Sequence, residues 1–142
     1  MKIRNATIKD KKDITNLYCE LYPDRKIKKL LSIEKTKFKS FILVAEVGKQ
    51  IVGFIWANFV QYGFSKFGYI EELFVKKEFR NKGIGRSLVK AIMKKFKDLK
   101  VAAVFVTTEK ENKEVISLYK KLSFKLSKGP WFYWNPKEDL PK

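Results

Sequence analysis

The run Arg80-Asn81-Lys82-Gly83-Ile84-Gly85 stands where an apolar segment gives way to a helical pattern. The first turn of a helix leaves backbone N–H groups unpaired at the positive end of its dipole, and glycine lets an anion approach them without a Cβ in the way. That geometry binds phosphate. The same glycines also suit a tight strand-to-helix turn with no ligand, so both readings stand. The spacing is not the dinucleotide Gly-x-Gly-x-x-Gly, because Arg86 and Val89 follow Gly85, and no Gly-Lys-Ser/Thr ends the run. Other chemistries are excluded by residue type. There is a single cysteine, Cys19, and no histidine. Disulfide frameworks, zinc sites of the usual Cys/His kind and Ser-His or Cys-His nucleophile systems are therefore absent, and no metal is expected. Cys19 lies on no motif and reads as a small core filler.

The elements that must position this turn follow from periodicity. Ile3 to Ile8 predicts a first strand, and Asp10 an N-cap for a helix carrying Ile14, Leu17, Tyr18 and Leu21 on one face, ended near Pro23. A weaker helical stretch covers about Arg25 to Ile33. Phe41 to Val47 and Ile51 to Val60 predict an antiparallel hairpin across Gly48-Lys49. The second of these strands is apolar on both faces, hence central and covered on both sides. After a loop from Gln61 to Gly68 come a strand over Tyr69 to Val75, the glycine turn, and a helix from about Ile84 to Lys97. In that helix Leu88, Val89, Ile92, Met93 and Phe96 form an apolar stripe opposite Arg86, Lys90, Lys94 and Lys97. Val101 to Thr107 predicts another strand and Asn112 to Leu122 another amphipathic helix. Phe124 to Leu126 with Trp131 to Trp134 predicts a closing hairpin. This order implies a mixed sheet with helices on both faces.

The chain has 142 residues, enough for one domain from Met1 to about Asn135 with a short polar tail. No repeat, low-complexity linker or membrane-length apolar run interrupts it, and a soluble, cytoplasmic setting is expected. Lys plus Arg number 32 against 15 Asp plus Glu, a net charge of +17. Such a surface attracts polyanions, whether phosphorylated cofactors, nucleic acid or acidic proteins, although lysine-rich helix faces are commonly just solvated.

These motifs resemble the GNAT superfamily of acetyl-CoA-dependent N-acetyltransferases. That family's signature, Gln or Arg, two residues, Gly, one residue, then Gly or Ala after a Leu-x-Val-like strand end, is matched by Leu73-Phe74-Val75 and the Arg80 to Gly85 run. A second signature is matched by Asn112, Leu118-Tyr119-Lys120-Lys121-Leu122 and Ser123-Phe124, with Ser123 where the family commonly has Gly. The resemblance implies an α/β (α+β) fold with a mixed, mostly antiparallel sheet of about six or seven strands and helices on both faces. The implied order is β-α-α-β-β-β-α-β-α-β-β, splayed into a V between Tyr69–Val75 and Val101–Thr107. It implies that the amides of Asn81, Lys82, Gly83, Ile84, Gly85 and Arg86 cradle the pyrophosphate of acetyl-CoA, with charge from Arg80, Lys82 and Arg86. The edge of Leu73, Phe74 and Val75 would pair with the pantetheine arm. Asn112 would contact that arm too, although an Asn before a helix also serves simply as an N-cap.

The implied reaction is direct attack of a primary amine on the thioester, in a ternary complex. A Lys-type amine has a pKa near 10.4 and must lose a proton first. Without histidine, the candidates for the base are carboxylates and water. Glu71 and Glu72 lie in an otherwise apolar strand, where burial would raise a carboxyl pKa. Strand alternation would put one on each side of the sheet, and Glu71 would share a face with Leu73 and Val75. Glu71 also matches the catalytic glutamate of the polyamine-acetylating members, with Glu72 in reserve. Tyr119 matches the family tyrosine that protonates the leaving thiolate; a core tyrosine with a satisfied hydroxyl is the alternative. The Val75 N–H would face the thioester oxygen.

In this fold the acceptor side comes from residues Asn16–Lys37, Gln61–Gly68 and Lys128–Asn135, which carry Tyr22, Tyr62, Phe64, Phe67, Trp131, Phe132, Tyr133 and Trp134. A +17 enzyme repels polycations unless acidic residues such as Glu20, Asp24, Glu71 and Glu72 gather, so a peptide or protein amine or a neutral small amine fits better. Two other classes compete: a GNAT-fold acyl-CoA sensor without turnover, and a basic nucleic-acid-binding domain, for which no recognition signature is present. No membrane partner is expected, and a homodimer is compatible with the sequence.

Overall fold

The structure, a computed structural model, describes residues 4, 7–21, 23–24, 26–27, 29, 37–127 and 129. Its contacts gather into two compact units, Met1–Thr107 and Thr108–Lys142.

In the first unit a 3-10 turn, Ile8–Asp10, runs into helix α1, Lys11–Leu21. Ile8 thus begins a helical turn and does not end the expected strand, whose Ile3, Asn5 and Ala6 lie outside the described residues. The cap also differs from expectation. Thr7, in extended backbone, is the N-cap, and Asp10 accepts from the Thr7 N–H at 2.7 Å, the back half of a capping box. Arg4 clamps the same carboxylate through both of its terminal nitrogens, at 2.8 and 2.9 Å. The Arg4 guanidinium, with help from the Thr7 amide, holds the Asp10 carboxyl well below the usual carboxylate range. Leu17, expected on the buried face of α1, is exposed, and it is Thr15 that is buried, its hydroxyl donating back to the Lys11 carbonyl at 2.7 Å. The second helical stretch lies largely outside the described residues; Lys26 and Ile27, which are described, are not helical.

Among the described residues the sheet has four strands, in the order β1-β2-β3-β4, where six or seven were expected. These are β1 (Lys37–Val47), β2 (Gln50–Tyr62), β3 (Ser65–Val75) and β4 (Ala103–Val106). The first hairpin closes over Gly48-Lys49, with Val47 opposite Gln50 and Gly48 at φ +63°. The second closes just as tightly, Tyr62 opposite Ser65. Where a loop was expected from Gln61 to Gly68, the strands continue to a turn at Gly63-Phe64. Aromatic stacking explains the extension: the Phe67 ring lies 5.8 Å from both Tyr62 and Phe105, and Tyr69 stacks on Phe105 at 5.4 Å. The β1-β2-β3 ladders are antiparallel, and β4 joins β3 in parallel. The expected closing strand at Phe124 to Leu126 is irregular backbone, and Trp131 to Trp134 lie outside the described residues.

Helix α2, Ile84–Asp98, lies across one face of this sheet. Its Leu88, Val89, Ile92 and Phe96 are buried, as are Val52, Ile55, Ala57, Phe59 and Ile70 of the sheet. Each of these side chains other than Ala57 contributes roughly 1.5 to 3 kcal/mol. Gly68 permits the closest approach: a Cβ there would fall 2.7 to 2.8 Å from three atoms of the Phe96 ring. On the opposite face Ile42, Val44, Trp56 and Phe74 are exposed. The apolar run of β2 therefore places it inside the sheet, but Trp56 is 42% exposed and not covered as expected.

The second unit contains helix α3, Lys113–Lys121. Asn112 is its N-cap and accepts from the Val115 N–H at 3.3 Å. At the other end the Phe124 N–H returns to the Tyr119 carbonyl and the Ser123 N–H to the Lys120 carbonyl, each at 3.0 Å. This is a Schellman turn with Ser123 at φ +67° in the left-handed position, where glycine is preferred.

Candidate functional site

The site begins where β3 and β4 part. Their parallel pairing runs from Phe67 opposite Ala103 to Ile70 opposite Val106 and stops there. Beyond Ile70, β2 is the only strand paired with β3 among the described residues. The Lys76 N–H donates to the Val52 carbonyl at 2.8 Å, so alternation turns the N–H groups of Val75 and Leu73 away from β2, toward the side β4 has left. That is the splay expected between these strands. The Val75 carbonyl on this side is taken by Arg80 Nε at 2.9 Å, while the guanidinium lies 5.9 Å from the centre of the Phe74 ring. Arg80 thus ties the turn back onto the end of β3 as well as adding charge.

A 3-10 turn over Lys77–Phe79 leads from β3 to Arg80. Asn81 (φ +59°) and Gly83 (φ +79°) then take left-handed conformations that reverse the chain into α2. Gly83 is the N-cap and has no side chain to offer, so the amides of the first turn, Ile84, Gly85 and Arg86, have no intrahelical acceptor. Its carbonyl receives both the Ser87 N–H at 3.0 Å and the Ser87 hydroxyl at 3.1 Å. A Cβ on Gly83 would meet nothing within 4 Å, so the space over the turn is open and only backbone conformation selects glycine. Arg80, Lys82 and Arg86 are exposed, and none forms an ion pair with a described residue; Lys82 rests 5.3 Å from the Phe79 ring. A cavity of about 620 Å³ between β1 and the start of α2 shares Lys82, Gly83 and Ile84 with this turn, but no residue from Glu71 to Val75 lines it.

The two glutamates differ from expectation in both facing and burial. Trp56 pairs with Glu72 and Ala57 with Ile70, so Glu71 is the extra residue of a β-bulge. Alternation resets across it. Glu72 lies opposite Trp56, and Glu71 accepts from Asn58 Nδ2 at 2.9 Å. Trp56 and Asn58 share a face of β2, so both carboxylates lie on that face, and the predicted separation onto opposite sides is wrong. Glu71 is accordingly not aligned with Leu73, which pairs with Ile55. Both glutamates are exposed, so the burial invoked for them is missing. Sequence reasoning passed over Asn58, and with it Ser40 and Trp56, which bond in series to it. The signal was there: Asn58 is a lone amide in the apolar run Ile55 to Val60.

Tyr119 and Asn112 belong to the second unit. Tyr119 is 6% exposed, and its ring meets Phe124 edge-on at 5.2 Å, the contact that accompanies the Schellman turn. Burial pushes its phenol up to about 12. Cys19 is half-buried in α1. Of the aromatic residues expected on the acceptor side, Tyr62 and Phe64 are exposed at the second hairpin, while Tyr22 and Trp131 to Trp134 are outside the described residues.

A sheet opened beside a glycine turn that feeds an uncapped helix defines a class, and comparison with known proteins gives the same one. The acetyltransferase (GNAT) family profile matches residues 11–124, and the chain belongs to that family. It is 30% identical to an N-alpha-acetyltransferase of Sulfurisphaera tokodaii, over 97% of this chain and 88% of the relative. Among solved structures, an aminoglycoside acetyltransferase from an uncultured soil metagenomic sample, in complex with sisomicin, superposes with a TM-score of 0.62 at 20% identity, covering 89% of each chain. The ribosomal-protein-alanine N-acetyltransferase of Brucella melitensis gives 0.56 at 17% identity, over 68% of this chain and 70% of its own. At these identities the structures establish the GNAT fold alone.

Proposed function

We propose that the protein transfers the acetyl group of acetyl-CoA to the α-amine of a peptide or protein by direct attack. The observation that carries this reading is the unpaired edge of β3 running into the uncapped first turn of α2. The residues present fit the ligand: Leu73 offers its backbone groups to an amide-bearing arm, and the amides of Ile84 to Arg86, with Arg80, Lys82 and Arg86 nearby, suit a pyrophosphate. When bound, acetyl-CoA supplies the acetyl group as an activated thioester. The Val75 N–H is the donor to the carbonyl oxygen, and Glu71 is the acceptor for the amine proton, directly or through water. Tyr119, protonated at neutral pH, is the proton donor for the departing thiolate.

The choice of an α-amine rests on physical grounds as well as on the relative's name. An α-amine has a pKa of about 7.7 to 8.0, so roughly a tenth of it is free base at pH 7; for a lysine the fraction is about one in two thousand. Exposed carboxylates such as Glu71 and Glu72 match the easier of these tasks. The charge of +17 also disfavours polycationic acceptors.

Calorimetric titration with acetyl-CoA beside dephospho-CoA, in moderate salt, tests the cradle. Saturable one-to-one binding that weakens at least tenfold in Gly83→Val supports it, and absence of saturable binding overturns it. Thiol release with a panel of free-amine peptides, compared with polyamines and N-terminally blocked peptides, tests the acceptor. Turnover with the blocked peptides alone would sink the α-amine assignment.

A further inference from the structure

Glu71 is a bulge residue with no direct partner across the ladder, so nothing in the backbone pairing aims its side chain. A series of hydrogen bonds crossing three strands does so instead. The Trp56 indole N–H donates to Ser40 Oγ at 3.0 Å, the Ser40 hydroxyl donates to Asn58 Oδ1, and Asn58 Nδ2 donates to Glu71 Oε1 at 2.9 Å. The direction of the series is forced from its first member. An indole N–H can only donate, which uses a lone pair of Ser40 and leaves the serine proton for the next acceptor. The Asn58 carbonyl takes that proton, so its NH₂ end must face Glu71. Ser40 and Asn58 are themselves paired across β1 and β2, and Trp56 lies two residues from Asn58 on the same face, so the sheet register holds the three donors together. The Glu72 carboxylate makes no hydrogen bond to any described residue.

We infer that Asn58 is a positioning residue for Glu71, and that Ser40 and Trp56 fix which end of its amide faces the carboxylate. One carboxylate oxygen is thereby held and the other, Oε2, is left for the incoming amine. The inference rests on the reading of Glu71 as the proton acceptor, and it selects Glu71 over Glu72 for that role on geometry. It also gives β1 a part in the reaction, although β1 is two strands away from the open edge of β3.

The test is steady-state acetylation of a short peptide with a free α-amine and an acidic second residue, followed in both substrates. Asn58→Ala is expected to lower kcat about tenfold, because misplacing a proton acceptor by an ångström is costly, with KM for acetyl-CoA within about twofold. Ser40→Ala, which frees the amide to rotate, should lose about threefold, Ser40→Thr should restore the rate, and Trp56→Phe, which keeps the ring without its N–H, should resemble Ser40→Ala. In a Glu71→Gln background Asn58→Ala should add no further loss. Wild-type kcat in Asn58→Ala, or an undiminished loss in the Glu71→Gln background, overturns the inference. Wild-type kcat in Glu71→Gln alone overturns the reading on which it rests, whereas an impaired Glu71→Gln beside a normal Asn58→Ala removes the positioning role and leaves that reading intact. Thermal unfolding of each variant, with the Ser40 pair as the milder change, separates a lost fold from a lost rate.

Discussion

Tyr119 is a buried phenol in α3. Buried and edge-on to Phe124, it is a phenol that holds its proton up to about pH 12. The proposed role, giving a proton to a thiolate, needs a group that carries one at neutral pH, as a tyrosine does with or without burial. Tyr119→Phe removes the donor and little else. It is expected to lower kcat by about ten- to a hundredfold while leaving the acetyl-CoA affinity from calorimetry within about twofold. The same burial has a thermodynamic consequence. The unfolded phenol titrates near 10 and the folded one near 12, so the folded state binds the proton more tightly. Its contribution is complete below pH 10 and is lost as pH rises through about 12. Thermal unfolding measured from pH 8 to 12 should show the wild type losing stability relative to Tyr119→Phe over that window.

At the scale of elements, two positions test how the local backbone was specified. Ser123 occupies the left-handed position of the turn that ends α3, at a cost of roughly 1 to 2 kcal/mol for an L-residue, partly offset by the greater unfolded-state entropy of glycine. Ser123→Gly should therefore raise stability by about 0.5 to 1 kcal/mol, a shift of about 2 °C in Tm by calorimetry. Gly68→Ala acts the other way: the added carbon would press on the Phe96 ring, and a loss of about 1 to 3 kcal/mol in denaturant unfolding is expected. Elements with strong periodicity were readable in advance. The apolar stripe of α2, the Gly48-Lys49 hairpin and the Asn112 cap stand where the residue pattern puts them. The bulge at Glu71 was not readable, because it exists only as a mismatch between two strands, and one strand's alternation cannot reveal it. Leu17 and Asp10 were misassigned for a related reason: a helix face is defined by what packs on it, and an N-cap by where the preceding Thr7 bends.

The molecule as a whole carries +17, and its exposed Arg86, Lys90, Lys94 and Lys97 on α2 make no ion pair with a described residue. On the proposed reading, their field acts on both substrates. Acetyl-CoA, a polyanion, and acceptor peptides with acidic residues near the amine should be drawn in, while lysine-rich peptides should be repelled. At about 50 mM salt the KM for an acidic peptide is expected to lie at least fivefold below that for a lysine-rich one of equal length, and the gap should close toward unity near 0.5 M, where the Debye length falls below about 5 Å. A preference that persists unchanged in high salt would assign selectivity to direct contacts in place of the overall field.

The bulge in β3 also separates two things that a regular strand would couple. Leu73, Phe74 and Val75 are paired with Ile55, Phe54 and Gly53, and Ile70 with Ala57, with one residue too many between them. Deleting either glutamate would leave a regular ladder in which every one of those pairs is kept. The number of carboxylates on this face is thus a character that a single codon can add or remove, without altering the frame of the strand that leads to the phosphate turn. If the proposed roles of this strand hold, acceptor chemistry and donor binding can drift independently along it.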